Sequence, residues 1–293
     1  MAEPIAAEGK GQASTAPIGV FDSGVGGITV AAEILRRNPS ERIIYIGDTA
    51  NVPYGERSAG DIRLFSVGIA RYLAERREVR GIVIACNTAT SAAAEEVRVA
   101  VSVPVVAMEP GVKPAVAATQ TGIIGVLATT GTLVGERFTS LVNRFAANLT
   151  VLTQPCPHWV ELVEAGNSDT PEARLLVRRY VEPLRERNAD VLVLGCTHFP
   201  LLRTPIQEVA GNGVTIIDTG PAVARRAEEV IPPRKDVSGQ GILPAGIELL
   251  CTGEPERFAR TARSLLNATE INAPVAFGQL RWKHGELVDN GTN

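Results

Sequence analysis

Ile82-Val83-Ile84-Ala85-Cys86-Asn87-Thr88 and Val191-Leu192-Val193-Leu194-Gly195-Cys196-Thr197-His198 are two apolar runs, each ending in a cysteine, with the cysteines 110 positions apart (86 to 196). Four aliphatic residues followed by small polar ones predict a buried parallel strand and a loop, at the strand end where open α/β sheets bind ligands. A single cysteine there is equally compatible with core packing, because cysteine behaves as a small hydrophobe. Two in matched settings point instead to two thiols facing one substrate.

Working outward, the surrounding sequence also repeats. Ile18-Gly19-Val20-Phe21-Asp22-Ser23-Gly24 is similar to Ile124-Gly125-Val126-Leu127-Ala128-Thr129-Thr130-Gly131 at an offset of 106 (18 to 124), close to the spacing of the cysteines. In each copy a strand and turn come first, a second apolar run follows (Ile43 to Ile46, Leu149 to Leu152), and a third strand ends in the cysteine. Helical patterns over Asp61 to Arg77 and Pro171 to Arg187 alternate with them, which predicts βαβ units and a parallel sheet in each copy. The expected fold is α/β: two pseudosymmetric parallel-sheet domains with the active site in the cleft between them. Breakers at Met108-Glu109-Pro110-Gly111 and Thr219-Gly220-Pro221 mark the crossings. The first domain is expected to span 17–111 plus 222–277 and the second 112–221. The polar ends, 1–16 and 278–293, are read as flexible extensions.

Composition narrows the function class. The chain has 293 residues, 45% hydrophobic and 21% charged, enough for about two ordinary domains. A net charge of -3 offers no basic field for a polyanion, so nucleic acid is not expected as an obligate partner. No apolar stretch of about 18 residues occurs, and residues 1–16 lack the basic start and apolar centre of an export signal, so neither membrane association nor secretion is expected. In a reducing cytoplasm four cysteines without a Cys-x-x-Cys are expected as free thiols, with Cys156 and Cys251 structural. Three histidines without a ligand-spaced cluster predict no metal.

The turn Asp22-Ser23-Gly24-Val25-Gly26-Gly27 invites a phosphate-loop reading, but it lacks the G-x-G-x-x-G spacing and starts with a carboxylate that would repel phosphate. On residue type alone Asp22 and Ser23 fit helix capping as well as catalysis. Ser23, Asn87, Thr88 and Thr197 cluster at strand ends, where hydroxyls, amides and backbone N–H groups can hold carboxylates without arginine.

The Phe-Asp-Ser-Gly-Val-Gly-Gly turn at 21–27, Gly47-Asp48-Thr49-Ala50-Asn51-Val52-Pro53-Tyr54-Gly55, Ala85-Cys86-Asn87-Thr88-Ala89-Thr90 and Leu194-Gly195-Cys196-Thr197-His198-Phe199-Pro200-Leu201, in this order, resemble the cofactor-independent aspartate/glutamate racemase family, on its glutamate branch. The similarity runs from about Pro17 to Leu266. It implies conversion of L-glutamate to the D-glutamate of peptidoglycan, without pyridoxal phosphate or another cofactor, and a homodimer. It also implies that Cys86 takes the proton from D-glutamate and Cys196 from L-glutamate, with Asp22 assisting Cys86 and His198 assisting Cys196. Glu164 matches a glutamate near the second cysteine, although Glu161 stands where many relatives have proline, and a solvated helix charge is the other reading of Glu164. Substrate contacts implied are Asp22, Ser23, Tyr54, Gly55, Asn87, Thr88, Thr197 and His198. A packed loop aromatic is the other reading of Tyr54.

The chemistry agrees with the duplicated thiols, since racemisation needs an acid/base group on each face of the α-carbon. A helix N-terminus or nearby cation can lower a thiol toward neutrality, and one cysteine must start as thiolate and the other as thiol. An aspartate or hydantoin racemase, or a decarboxylase of the same fold, would use similar thiols. A thiol hydrolase leaves Cys86 unexplained, and a two-domain ligand-binding protein needs no paired cysteines.

Overall fold

The structure is a computed structural model that describes residues 15–234, 245–269, 271 and 273–290. The expected N-terminal extension therefore lies almost wholly outside the described residues. In chain order the first half contains β1 (Ile18–Asp22), α1 (Ile28–Arg37), β2 (Arg42–Gly47), α2 (Ala59–Arg71), β3 (Gly81–Ile84), α3 (Asn87–Ala100) and β4 (Val105–Ala107). The second contains α4 (Val112–Ala118), β5 (Ile123–Ala128), α5 (Thr130–Leu133), α6 (Glu136–Phe145), β6 (Thr150–Pro155), α7 (Trp159–Glu164), α8 (Pro171–Glu186), β7 (Val191–Gly195), α9 (Arg203–Ala210), β8 (Thr215–Ile217) and α10 (Gly220–Val230). The chain ends with β9 (Gly246–Cys251), α11 (Pro255–Ala268), β10 (Val275–Lys283) and β11 (Glu286–Asp289).

Two sheets form, ordered β11-β10-β9-β2-β1-β3-β4 and β6-β5-β7-β8. All pairings are parallel except β10 with β11. The run β2-β1-β3-β4 has the same connectivity as β6-β5-β7-β8, so the repeated sequence is a repeated fold. β1, β3 and β7 are buried along their whole length, as inner strands covered on both faces by helices must be. Register extends the correspondence to single residues. Phe21 pairs with Ile84, and Leu127 with Leu194, so each cysteine lies two residues past an equivalent pair. Asp48 N donates to Asp22 O and Cys156 N to Ala128 O, each at 3.0 Å, which makes Asp22 and Ala128 equivalent.

Two features differ from expectation. The helix over Asp61 to Arg77 ends at Arg71 and continues as one wide π turn over Tyr72–Arg76. Residues 278–290 are not a flexible extension: β10 joins the edge of the first sheet and turns back into β11. The two-residue loop has positive φ at both His284 (50°) and Gly285 (81°), the type I′ geometry that matches strand twist. Leu280 and Leu287 are buried beneath it, and Tyr72 OH donates to Asp289 Oδ1 at 2.7 Å. The β9 and β10 strands thus return the chain to the first sheet, while α10 packs on α1.

Candidate active site

The ends of β1, β3 and β7 meet between the two halves. After β1 the chain turns through Asp22-Ser23-Gly24-Val25-Gly26-Gly27. Asp22 Oδ2 accepts from Gly27 N at 3.0 Å and Gly24 N at 3.3 Å, and Oδ1 accepts from Thr197 Oγ1 of the other half at 3.4 Å. Val25 N donates to Glu164 Oε1 at 2.7 Å. The amides of Gly24, Val25 and Gly27 are therefore occupied by protein carboxylates, which argues against the phosphate-loop reading. Its glycines permit close approach: a Cβ on Gly24 would lie 1.8 Å from Glu164 Oε1, and one on Gly26 2.5 Å from His198 Nδ1. Tyr45 OH donates to Gly24 O at 2.6 Å and fixes the turn from below.

Cys86 is the N-cap of α3; its sulfur accepts from Ala89 N at 3.4 Å and lies 4.0 Å from Ser23 Oγ. At Cys86 the helix N-terminus does not lower the thiol. Burial pushes it well above the ordinary thiol value, the Asp22 carboxylate adds to this, and the helix amide only partly opposes them. Among its surroundings Cys86 is thus held as the thiol.

Cys196 Sγ lies 3.8 Å from His198 Nδ1, and His198 Nε2 lies 2.6 Å from Glu164 Oε1. All three side chains are buried. Burial works against the charged imidazole, yet the Cys196 sulfur, Glu164 and Asp22 outweigh it and raise the His198 pKa well above its ordinary value. The outcome is an imidazolium between a sulfur and a carboxylate, with both ring nitrogens engaged. Glu161 continues the helix in α7 and leaves Glu164 aimed into the site, so the exposed-charge reading of Glu164 fails.

Thr88 Oγ1 lies 2.9 Å from Thr129 Oγ1 and 3.3 Å from Thr132 Oγ1, joining the start of α3 to the turn after β5. A Cβ on Gly55 would lie 2.7 Å from Thr129 Cβ. Asn87 is 3% exposed, and neither Oδ1 nor Nδ2 has a hydrogen-bond partner. A crevice of about 490 Å³, lined in part by Arg57, Thr90 and Gly131, reaches Thr88.

Asp22, Ser23, Cys86, Glu164, Cys196, Thr197 and His198 are linked by these contacts into one cluster, while Gly55 and Thr88 meet at Thr129, and Asn87 joins the two groups along the chain at the start of α3. Tyr54 differs. Its hydroxyl donates to Asp48 Oδ2 at 2.6 Å and the residue is 1% exposed, so the hydroxyl proton is not available to a ligand. Sequence reasoning missed Tyr45, Asp48, Thr129 and Thr132. Thr129 was within reach, since it is the counterpart of Ser23 in the repeat.

A family model described as Asp/Glu/Hydantoin racemase matches residues 27–227. The glutamate racemase of Stutzerimonas stutzeri strain A1501 is 45% identical over 246 residues, covering 84% of this chain and 92% of that protein. The glutamate racemase of Pseudomonas aeruginosa strain PAO1 is 50% identical over 232 residues, covering 78% and 87%. Among solved structures, glutamate racemase isoform RacE1 from Bacillus anthracis superposes with a TM-score of 0.80 at 31% identity, covering 92% of this chain and 98% of that one. Escherichia coli glutamate racemase, in complex with L-glutamate and the activator UDP-MurNAc-ala, gives 0.78 at 31%, covering 91% and 98%. With two thiols at equivalent strand ends and these similarities over most of its length, the chain belongs to the Asp/Glu/Hydantoin racemase family.

Proposed function

We propose that this protein is a glutamate racemase that interconverts L- and D-glutamate with Cys86 and Cys196 as its two acid/base groups. The observation that carries this reading is the equivalence of the two cysteines, each two residues past matched strand pairs and near enough for Cys196 to act electrostatically on Cys86. From L-glutamate, the Cys196 sulfur takes the α-proton while Cys86 holds the proton that is returned to the opposite face; the carbanion between them is consumed by that second transfer. From D-glutamate the roles exchange. The His198 imidazolium, held by Glu164, faces the sulfur that starts the L-to-D direction, and Asp22 stands beside Cys86.

Substrate carboxylates are held by backbone N–H groups of the Tyr54–Gly55 turn and by Ser23, Asn87, Thr88 and Thr197. The orphaned amide of Asn87 supports this: a buried polar group with no partner costs about 1–3 kcal/mol, which a bound ligand recovers. The mechanism asks nothing of a cofactor. The biological setting proposed is the cytoplasm, supplying D-glutamate for peptidoglycan, with a homodimer as the working form. Among the described residues no helix is long and apolar enough to cross a membrane.

The test is racemisation in deuterium oxide by enzyme freed of metal and pyridoxal phosphate. D-glutamate formed from L-glutamate is expected to carry deuterium at its α-carbon, and Cys86→Ala or Cys196→Ala to abolish turnover with the fold retained. Product that keeps its original α-hydrogen, or full activity in either folded variant, refutes the two-thiol mechanism.

A further inference from the structure

The Asp48 carboxylate is fully buried at the end of β2, and among the described residues the side chains that donate to it are neutral. Oδ1 accepts from Thr252 Oγ1 at 2.7 Å, Trp282 Nε1 at 2.8 Å and Asn51 Nδ2 at 3.1 Å; Oδ2 accepts from Tyr54 OH at 2.6 Å and Asn51 Nδ2 at 3.0 Å. The rings of Tyr54, Phe65 and Trp282 form a row with centroid separations of 5.8 and 5.6 Å, so Asp48 closes a loop whose two ends are Tyr54 and Trp282. Further bonds run the same way. Ala50 N donates to Thr252 Oγ1 at 3.0 Å, Gly253 N to Thr49 Oγ1 at 2.9 Å, and Gln279 Nε2 to Gly253 O at 2.9 Å. Thr252, Gly253, Gln279 and Trp282 lie beyond the 27–227 span of the family match, whereas Asn51 and Phe65 lie within it. On the opposite side, Gly55 packs against Thr129 with no room for a Cβ.

We propose that Trp282 and Thr252 are positioning residues for substrate: through Asp48 they set the place of the Tyr54–Gly55 turn, so that the C-terminal hairpin governs how tightly glutamate is held. This rests on the reading that the turn's amides hold a substrate carboxylate. A buried carboxylate is rigidly placed only when its donors are complete, and removing one leaves Asp48 free to shift with the tyrosine bonded to it. This loop of groups meets the helper Asp22 through a backbone bond, Asp48 N to Asp22 O, whereas the side-chain bonds to the Asp48 carboxylate come from neither thiol nor helper, so the effect expected of the side-chain changes is on binding rather than proton transfer.

Trp282→Phe keeps an aromatic ring beside Phe65 and removes the N–H together with the part of the indole that packs on Gly68. It is expected to raise KM for both enantiomers about threefold to tenfold, up to about 1.4 kcal/mol, with kcat within about twofold of the parent, the signature of lost uniform binding. On a Tyr54→Phe background, where Asp48 no longer grips the turn, the same substitution is expected to change KM by less than about twofold, because coupled groups are non-additive. Thr252→Val, which leaves the hairpin intact, provides the same measurement if Trp282→Phe does not fold. An unchanged KM in both folded variants overturns the proposal, as does an equal rise with and without the Tyr54 hydroxyl, which would indicate packing alone. Failure of the parent enzyme to racemise glutamate would refute the function instead.

Discussion

Glu164→Gln separates a positioned imidazolium from a packed one. Glu164 Oε1 lies 2.6 Å from His198 Nε2 and 2.7 Å from Val25 N, with all the groups buried, and glutamine preserves the shape while removing the charge. A lower bound follows from replacing charge-assisted hydrogen bonds with neutral ones, a difference of about 1–1.5 kcal/mol. An upper bound is the attraction of unit charges about 4 Å apart at an effective dielectric of about 20, roughly 4 kcal/mol. At about 1.4 kcal/mol per decade, kcat/KM is expected to fall between about tenfold and a thousandfold.

The sign of the pH effect is equally definite. Glu164 is among the groups that hold the His198 pKa above its ordinary value, so its removal lowers that pKa, and the limb on which activity falls with rising pH moves to lower pH. The stability that a raised histidine contributes is present below about pH 6.5 and disappears as pH rises through the folded value. The variant's stability deficit should therefore be largest on the acid side. Polarimetric initial rates across pH, beside calorimetric melts and an imidazole titration by NMR, measure all three. Activity within about twofold of the parent refutes the reasoning, and a loss without a shift of the limb assigns Glu164 to packing alone.

Asn87→Leu is expected to stabilise the unliganded protein by about 1 kcal/mol or more in urea unfolding, since it removes an unsatisfied buried amide, while raising KM more than about tenfold. A destabilised variant with intact affinity would contradict the ligand role. Asp190 tests a structural bond: burial works against its charge, but Thr119 Oγ1 and the N–H groups of Gln120 and Thr121 outweigh burial and hold its carboxyl at about 2. A depressed carboxylate stabilises above the unfolded value and loses that contribution as pH falls toward its own, so Asp190→Ala should cost about 1 kcal/mol at neutral pH after allowance for solvent screening. The gap should close between about pH 4 and pH 2, and a gap independent of pH would refute the assignment.

The sheets and the thiols were legible because both depend on local pattern. Aliphatic runs ending in Cys86 and Cys196 mark inner strands and their ligand-facing ends, and the repeat from Ile18 and Ile124 makes one half the template for the other. What escaped depends on contacts across the fold. Glu164 meets Val25 over a separation of 139 residues, which no helical spacing encodes. The Tyr54 hydroxyl was free to face substrate until Asp48 took it. Which cysteine starts as the thiol also depends on such contacts: at Cys86 burial and Asp22 oppose the helix N-terminus and win. The hairpin of β10 and β11 was hidden because His284-Gly285 stands in place of the familiar Asn-Gly, and because β10 alternates buried Leu280 with polar edge residues.

The duplication kept the thiols alike and let their helpers diverge. Asp22 stands where the second half has Ala128, Ser23 where it has Thr129, and Thr88 where it has His198, so the two faces of one substrate meet different surroundings. Enantiomers nevertheless have equal free energy in an achiral solvent, and the equilibrium constant between them is unity. The ratio of kcat/KM in the two directions must then equal unity at every pH and in every variant. A substitution at Asp22 or His198 therefore slows both directions equally at low substrate, however close it lies to one cysteine. Asymmetry can appear only near saturation, as kcat and KM values that differ between the enantiomers in the same proportion. Under the proposed two-thiol mechanism the same constraint makes neither thiol dispensable for either direction: each transition state is crossed from both sides, and the group that removes the proton one way is the group that returns it the other.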